Sequence, residues 1–465
     1  MKVSSRLTAR FLTLLTLFFL LAMPLASSGQ TIDLASAANP GEFQAVRFQV
    51  EYYGDIMVDL SRDPGAEPYV LPLDVTGKFE FDQQLSGKPG SMQAVRCYTT
   101  ATADIETGKG HKASGLAIEN KYVLGRIRTV QNQNQFQIAS IGSILKRSEY
   151  ELLRNPCDPI ALVGLLDQEN VKIGDRWEVD QGTLGRFLNI DHVISTDVQF
   201  KLKSVDEANA VIHVSGHLKG EIDDVVTELD VAGSLQFDRK IDRIKAVRIN
   251  INQQTDPGQV APGFEGQIKL DMRIKQIAAS QHLTREKLAA IMTGTKIKQA
   301  FMLKPDEASF SVIHSPAWRI IAAEKEAAVL RFVQDGNMLA QCNIVRLPNR
   351  PADRSLELGE FEAEVRKMIK DQETVTFQSS SQSETPMGHA ALRVVVEGYE
   401  SGVPIQWLYY HISNEEGVCV TCIFTLEKKI AEQFGKADQT FVNRFKLVPL
   451  EQQRQTKKET AETIR

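Results

Sequence analysis

Two cysteines near the end of the chain, Cys419 and Cys422, have the C-x-x-C spacing of redox-active and zinc-binding motifs. The redox motif requires the first thiol at a helix N-terminus, because the helix lowers the pKa of that thiol. Both cysteines instead lie in an apolar run that predicts a strand, so their side chains should point to opposite faces. Cys422 shares its face with Val420 and Phe424, which favours a core position. We therefore interpret this pair as structural.

Two histidines, His213 and His217, would share a metal site if they lay one turn apart on a helix. Residues 210–218 alternate between apolar and polar types, which predicts a strand. At about 3.3 Å per residue the two Cα atoms would be roughly 13 Å apart, too far for one ion. Because Ile212 and Val214 face the core in this pattern, the histidines should face water. The sequence therefore predicts no metal site.

Residues 108–115 (GKGHKASG) superficially resemble a glycine-rich phosphate loop. The spacing fits neither known type and no helix pattern follows, so we predict a hairpin loop with His111 exposed. The signatures of serine hydrolases, zincins, phosphate loops and dinucleotide-binding folds are absent from the sequence. No catalytic residue is therefore predicted.

Two carboxylate clusters remain as candidates for acid–base or calcium chemistry. The first cluster, Asp223 and Asp224, follows a glycine in a predicted hairpin turn. The second lies on the solvent-exposed side of a predicted helix and comprises Glu360, Glu362 and Glu364. No D-x-D-x-D-G calcium loop occurs. We interpret both clusters as solvated charges.

The composition is that of a globular protein with two or three domains, since 42% of the 465 residues are hydrophobic and 24% are charged. A net charge of −5 argues against nucleic acid as the main partner. Five cysteines are too few for a disulfide scaffold, and the odd number leaves at least one thiol unpaired. An oxidising compartment would permit Cys97–Cys157 or a pair involving Cys342, and the pairing among the five stays open.

Residues 1–29 predict a secretory signal peptide. Lys2, Arg6 and Arg10 precede the apolar run 11–26, and small residues follow at once. That run is shorter than the roughly 20 residues that a transmembrane helix needs. We therefore expect export to the periplasm or the cell exterior, without a transmembrane anchor in the mature chain.

Residues 40–280 predict a β-rich domain, because apolar and polar residues alternate through much of this stretch. Residues 73–82 (LDVTGKFEFD) match 229–238 (LDVAGSLQFD), and 94–96 (AVR) match 246–248 (AVR). These matches predict an internal repeat of about 46–150 and 190–280, two similar antiparallel halves of one domain. Medium-sized inward residues and an apolar insert around 152–166 predict a filled interior.

Residues 281–305 predict a linker, with a short helix capped by Thr284, few apolar residues to dock, and a break at Lys304-Pro305. Residues 306–450 mix helical and strand periods and predict an α+β domain. Its elements include a helix over 360–370, a hairpin around Asn414–Gly417 and a closing helix before Phe445. Residues 451–465 predict a disordered tail.

Two resemblances add to this interpretation. The strand ending in Pro316-Ala317-Trp318, the helix after Glu360 and the closing helix make the C-terminal region similar to the PsbP-type α/β/α sandwich. Residues 165–177 (LLDQENVKIGDRW) make the N-terminal region resemble uncharacterised exported β-rich proteins of planctomycete-type bacteria. PsbP-type domains serve mostly as accessory and binding modules, so the resemblance implies interaction rather than catalysis.

The resulting fold class is mainly β plus α+β, a duplicated antiparallel β-rich domain followed by a PsbP-like α/β/α sandwich. We expect an exported binding or scaffolding protein with a protein or cell-envelope partner, and neither catalytic activity nor a cofactor. The alternative is a periplasmic carrier of an apolar ligand, because a duplicated curved sheet can enclose a cavity as in LolA-like folds. An enzyme without a recognisable motif is the third hypothesis.

The signal-peptide hypothesis predicts a mature N-terminus between Gln30 and Ala38, because the small residues after the apolar run offer the cleavage sites. N-terminal sequencing of the exported protein measures this directly. Recovery of the exported chain with Met1 retained would contradict the hypothesis.

Overall fold

The computed structural model describes residues 31–35, 41–58, 68–88, 91–108, 110–130, 133–258, 262–294, 300–305, 308–334, 336–351, 355–369 and 374–448. The predicted signal peptide and the predicted tail lie outside these residues. The protein is mainly β, with 59% strand and 13% helix in three antiparallel sheets. Within the described ranges, no helix combines the length and the apolar character that crossing a bilayer requires.

The described residues of the N-terminal part form one thirteen-stranded sheet, three α-helices and a short 3-10 helix, Ile118–Asn120. The strands are β1 (Phe43–Val58), β2 (Tyr69–Lys88), β3 (Ser91–Thr107), β4 (Gly110–Gly115), β5 (Tyr122–Val130), β6 (Gln133–Ser140), β7 (Arg176–Trp177), β8 (His192–Thr196), β9 (Gln199–Val205), β10 (Asn209–Ile222), β11 (Val225–Asp238), β12 (Arg243–Thr255) and β13 (Gly263–Ile277). The helices are α1 (Arg147–Leu153), α2 (Gln181–Leu188) and α3 (Arg285–Gly294).

Two meanders lie side by side in this sheet, in the order β6-β5-β3-β2-β1-β13-β12-β11-β10-β9-β7. β4 pairs with β3, and β8 pairs with β10. The meanders meet where β1 pairs with β13, from Phe43 opposite Ile277 to Met57 opposite Gly263. Val46 and Val50 are buried on one face while Arg47 and Gln49 are exposed on the other, as the alternation predicts. We call the polar side the outer face.

The first pair of matched segments, 73–82 and 229–238, lies in β2 and β11. The register of β2 with β3 shifts between Glu80 and Phe81, and that of β11 with β12 shifts between Gln236 and Phe237. These positions correspond in the sequence match, so both halves have a β-bulge at the same place. The shared position is compatible with the repeat hypothesis, which stays a prediction.

The second match, 94–96 with 246–248, was wrong as a structural correspondence. In the second meander Ala246 lies opposite Gln236. The first match aligns Gln236 with Glu80, and the residue opposite Glu80 is Thr100, not Ala94. Ala94 instead pairs with Leu85, farther along β2. Three residues of an alternating strand fit several registers, so the short match had little power to select one.

A covering layer between the two meanders packs on the apolar face of the sheet. It contains α1, the turns of residues 154–166 and α2, and its buried residues include Tyr150, Leu153, Leu162, Leu165, Leu166, Leu184 and Phe187. Arg96 on β3 holds this layer through two bonds of 2.8 and 2.5 Å to the carboxylate of Asp158. The Arg96 side chain is only 3% exposed, so the pair is screened little by solvent. The insert thus covers apolar residues of the sheet.

The sequence predicts residues 281–305 to be a linker, but the described residues 281–294 of this segment also pack against the sheet. Leu283, Leu288 and Ile291 are buried in one cluster with Val95 and Leu124. The expectation that this segment has few apolar residues to dock was therefore wrong. The reason is that Leu283 and one side of α3 pack against residues of β3 and β5.

The C-terminal part contains two sheets. A small sheet joins β14 (Phe301–Leu303), β15 (Phe310–His314) and β23 (Phe445–Leu447). A seven-stranded sheet has the order β16-β17-β18-β22-β21-β20-β19. Its strands are β16 (Trp318–Ala323), β17 (Ala327–Gln334), β18 (Asn337–Leu347), β19 (Thr376–Glu384), β20 (Ala390–Glu400), β21 (Val403–Ser413) and β22 (Cys419–Glu427). The helices are α4 (Leu358–Met368), α5 (Ala431–Phe434) and α6 (Ala437–Val442).

Apolar clusters cover both faces of the seven-stranded sheet. On one face α4 packs Phe361 and Val365 against Trp407. On the other, α6 and the small sheet enclose a cluster centred on Trp318, whose ring lies 4.8 Å from that of Phe441. The predicted helix over 360–370 is therefore present, and its apolar spacing of four residues forms the contact with the sheet.

A charged cluster connects the thirteen-stranded sheet to the seven-stranded sheet. Asp223, in the turn between β10 and β11, accepts a hydrogen bond of 2.7 Å from Arg319 on β16. Arg147 and Arg154 lie 3.5 and 4.0 Å from the same carboxylate. Its side chain is only 25% exposed. The turn was predicted correctly, but the interpretation of Asp223 as a solvated charge was wrong, because three arginines from two parts of the chain converge on it.

The charged cluster sets a pH dependence. Burial by itself would raise the pKa of Asp223, but Arg319, Arg154 and Arg147 outweigh it and hold that pKa below its usual value. The ionised form is therefore favoured in the folded state. Its contribution to stability is complete above the unfolded pKa of about 4 and is lost as the pH falls through the lower folded value.

We predict that Asp223→Asn lowers the free energy of unfolding by about 2 kcal/mol at pH 7, because it leaves partly buried arginines without their charge partner. The difference from wild type should shrink as the pH falls below about 4. Urea denaturation at pH 7 and pH 3.5 measures both effects. Asp224→Asn is the matched control, since Asp224 is the exposed neighbour in the same turn. Equal losses in the two variants would contradict the role of the cluster.

Candidate functional site

The outer face of the thirteen-stranded sheet carries polar side chains in rows that cross the strands. Cross-strand pairing sets each row, because directly opposite residues project on the same side. The three central rows are Glu80–Arg47–Arg273–Ala246, Lys78–Gln49–Asp271–Arg248 and Thr76–Glu51–Lys269–Asn250. These rows cross the junction of β1 with β13, so both meanders contribute to them.

The rows enclose a groove of about 680 Å³, which we call the outer-face groove. Its charged lining residues are Arg47, Lys78, Arg248, Lys269, Arg273, Glu51, Glu80 and Asp271. Basic groups exceed acidic groups here although the chain as a whole has a net charge of −5. The groove is therefore locally suited to a negatively charged partner.

Two arginines, Arg47 and Arg273, lie directly opposite each other across β1 and β13. Their side chains are 76% and 77% exposed. Like charges in directly opposite positions destabilise a sheet. The nearest carboxylates relieve this repulsion only in part, since Glu80 lies 3.6 Å from Arg47 and Asp271 lies 4.0 Å from Arg273.

The remaining cations of the groove divide into one that is neutralised and two that are not. Arg248 donates two hydrogen bonds, of 2.9 and 2.6 Å, to Asp271. Lys78 and Lys269 form no salt bridge within the described part of the chain. Glu51 accepts a hydrogen bond of 2.8 Å from Gln49. The groove thus keeps several cations with unsatisfied charge.

A second cavity, of about 550 Å³, lies at the end of the seven-stranded sheet, and we call it the loop pocket. Its floor is one row of the sheet, in which Glu384, Ala390, Ser413 and Cys419 are successive cross-strand neighbours. Three of these side chains are small, and space is left above them. The walls are formed by the turn after β21 and by four described residues that precede α4: Arg350, Pro351, Ser355 and Leu356.

The wall of the loop pocket depends on Gly417. The Arg350 backbone N–H donates to the Gly417 carbonyl at 2.9 Å. Gly417 has a φ of +78°, and a Cβ there would lie 2.0 Å from the Arg350 carbonyl oxygen. Glycine is therefore required both by the turn and by the close approach of the crossing chain.

Cys419 is the one thiol that lines the loop pocket, and its environment opposes nucleophilic chemistry. Its Sγ donates to the Gly417 carbonyl at 3.1 Å. Burial raises the pKa of the Cys419 thiol, so it stays protonated at neutral pH. The nearby His411 is buried beside Phe361, and burial lowers the pKa of its imidazole to about 4. A thiolate–imidazolium pair is not favoured under these conditions.

The other candidates from the sequence lie apart from both cavities. His213 and His217 are on β10, and His217 Nδ1 lies 3.0 Å from Asp230 on the next strand. Among the described residues, no group of three potential ligands is placed to hold a metal ion. His111 is exposed, but residues 110–115 form strand β4 rather than the predicted loop, because they pair with β3.

All five cysteines are buried free thiols. Cys97 and Cys157 belong to different apolar clusters. Cys342 forms a side-chain hydrogen bond with Cys422, and burial, followed by this contact, raises the pKa of the Cys342 thiol. The sequence argument singled out Cys342 without its neighbour, because pairing of β18 with β22 is not visible in the sequence.

Sequence reasoning missed the cations of the outer-face groove and the loop pocket. The alternation in β1 and β13 marks Arg47 and Arg273 as exposed, but not as neighbours. Arg350 lies in an irregular stretch with no periodic signal. Only knowledge of the strand register would have brought these residues together.

The comparisons with known proteins give distant structural likeness and no sequence family. Neither a protein-family model nor a curated protein matches the chain. A protein of unknown function, PA94 from Pseudomonas aeruginosa, aligns with 33% of this chain and 98% of its own, at 13% identity and a TM-score of 0.22. Cyanobacterial PsbP (CyanoP) from Synechocystis sp. PCC 6803 aligns over 33% of this chain and 95% of its own length, at 11% identity and a TM-score of 0.26.

A third structure, the immunity protein TplEi from Pseudomonas aeruginosa, aligns with 55% of this chain and 95% of its own, at 10% identity and a TM-score of 0.20. The likeness is thus to PsbP-like and PA94-type folds over a third of the chain. The resemblance of the N-terminal region to exported planctomycete-type proteins stays a prediction.

We predict that Arg273→Gln raises the free energy of unfolding by about 0.5 kcal/mol or less at low salt, because it removes the repulsion with Arg47. The gain should vanish at high salt, where exposed charges are screened. Urea denaturation at two salt concentrations measures it. The matched variant Arg248→Gln should instead destabilise, since it loses the bonds to Asp271. Destabilisation by Arg273→Gln would show that the two arginines do not repel.

Proposed function

We propose that this protein is an exported, non-catalytic binding or scaffolding protein whose outer-face groove receives an acidic partner. The observation that carries the proposal is the placement of Arg47 opposite Arg273, where a sheet normally avoids like charges. An anionic group placed between them would turn a repulsion into two attractions. Arginine suits this role because its planar fork binds carboxylate and phosphate oxygens in pairs.

The local charge supports an acidic partner rather than a neutral one. Lys78 and Lys269 extend the basic surface along the strands, in the two rows that follow the two arginines. The overall charge of −5 would repel a polyanion elsewhere, so attraction is concentrated at the groove. Exposed charges of this kind mainly set the association rate and the register of docking.

The environment of the titratable groups supports binding rather than catalysis. A nucleophile or a general base needs a pKa matched to its task, in a site sheltered from water. Cys419 and His411 are shifted away from reactivity, and the groove cations are exposed. Export and duplication are part of the proposal, the latter supported by the bulge that both halves share.

One observation favours the carrier as a second candidate. Leu73 and Val75 are only half-buried, whereas their counterparts Leu229 and Val231 are fully buried. Apolar surface on the first meander therefore extends beyond the covering layer. A fluorescent fatty acid that binds saturably, and loses affinity in Leu73→Asp, would favour the carrier over the binding protein.

The binding proposal predicts that poly-L-glutamate binds the mature protein and that Arg47→Glu/Arg273→Glu weakens it at least about tenfold. That factor corresponds to about 1.4 kcal/mol, a modest effect for reversing two charges in one site. Fluorescence anisotropy at physiological salt measures the affinities.

The matched control is Lys112→Glu/Lys203→Glu. It makes the same charge change at exposed positions of β4 and β9, and neither residue lines the groove. It should bind as wild type does. If the two double variants lose the same affinity, the attraction is a property of net charge and the groove has no special role.

A further inference from the structure

Strand β19 is an edge strand with an unusually open surface. It pairs with β20 and with no other strand of the described chain. Of its nine residues, eight are exposed and only Phe377 is half-buried. The backbone groups on its free side are therefore available to another extended chain.

The sequence of β19 lacks most of the devices that protect an edge. Residues 376–384 (TFQSSSQSE) contain neither lysine nor proline, and Glu384 is the one charge. A single register shift lies between Phe377 and Ser379, so the stretch from Ser379 to Glu384 pairs regularly. Natural proteins usually block such an edge unless it is used.

The loop pocket lies at the end of this edge. Gln382, Ser383 and Glu384 belong both to β19 and to the lining of the pocket. A chain that pairs with β19 would therefore run directly to the pocket. Edge and pocket together have the two parts of a strand-addition site, in which backbone bonds supply affinity and a pocket supplies specificity.

The charges of the pocket define which side chain it accepts. Glu384 and Glu415 form no salt bridge within the described residues. Arg350, the basic residue of the lining, is already bound to Glu364 at 3.0 Å. The pocket therefore offers two uncompensated carboxylates, and a volume of about 550 Å³ has room for a long basic side chain.

We infer that β19 and the loop pocket bind an extended segment of a partner polypeptide, with a lysine or arginine side chain of that segment in the pocket. The partner adds a strand to the seven-stranded sheet and directs its basic residue toward Glu384 and Glu415. This site is separate from the outer-face groove, and its ligand has the opposite charge.

The test uses an acetylated, amidated and fluorescently labelled peptide of eight residues, alternating threonine and valine around one central lysine. A second peptide has glutamate in place of lysine. We expect saturable binding of the lysine peptide to the full mature chain, and binding of the glutamate peptide at least tenfold weaker, by fluorescence anisotropy.

Three variants separate the two parts of the site. Glu384→Lys should abolish the preference between the peptides, because the new lysine offsets the charge of Glu415, and Glu415→Lys should weaken the lysine peptide at least tenfold. Glu416→Lys is the matched control, because Glu416 is exposed in the same turn but does not line the pocket. Ser380→Pro, in the middle of the edge strand, should abolish binding of both peptides. If this variant fails to fold, the variants at Glu384 and Glu415 alone test the inference.

Several results would overturn the inference. Equal affinity for the two peptides, or an unchanged affinity in Glu384→Lys, would remove the pocket from recognition. A dimer that Ser380→Pro dissociates, in a protein that binds neither peptide, would assign the edge to a second copy of the chain. Peptide binding that appears only after removal of residues 451–465 would assign the site to the chain's own C-terminal segment.

Discussion

The antiparallel pairing of β1 with β13 is the contact on which the rest of the N-terminal architecture depends. It joins two meanders that each would end in an unpaired edge, and it makes their apolar faces one continuous surface. The same pairing places Arg47 beside Arg273 on the opposite side. A single register thus determines both where the core lies and where the outer-face groove forms, since a slip by one residue would exchange the two faces.

Apolar residues of the sheet are covered by the chain's own covering layer. The bidentate bond between Arg96 and Asp158 anchors this layer to β3 from within. A buried pair of this kind adds little net stability, because desolvation of both charges offsets much of their attraction. The side of the central strands that this layer leaves open is the polar outer face.

The C-terminal part obtains its loop pocket from a row of small side chains. Ala390, Ser413 and Cys419 occupy positions that α4 does not cover, and the chain at Arg350 crosses over Gly417 to close one wall. The charged cluster around Asp223 then connects this part to the turn between β10 and β11. One partly buried ionic cluster therefore connects the two sheets that carry the proposed binding sites.

The sequence by itself determined the class of fold and many of the faces. The alternation of apolar and polar residues identified β1 as a strand with one solvent-exposed face. It also placed the two cysteines of β22 on opposite faces of the sheet and the two histidines of β10 on an exposed face. It did not determine the packing of residues 281–294 on the sheet, the burial of Asp223 or the strand partners of residues 94–96. Alternation is a local property of neighbouring residues, whereas these outcomes depend on which distant segments meet. The cross-strand position of Arg47 and Arg273, and the row that ends at Cys419, were decided only by tertiary structure, because strand register is set by packing between segments far apart in the chain.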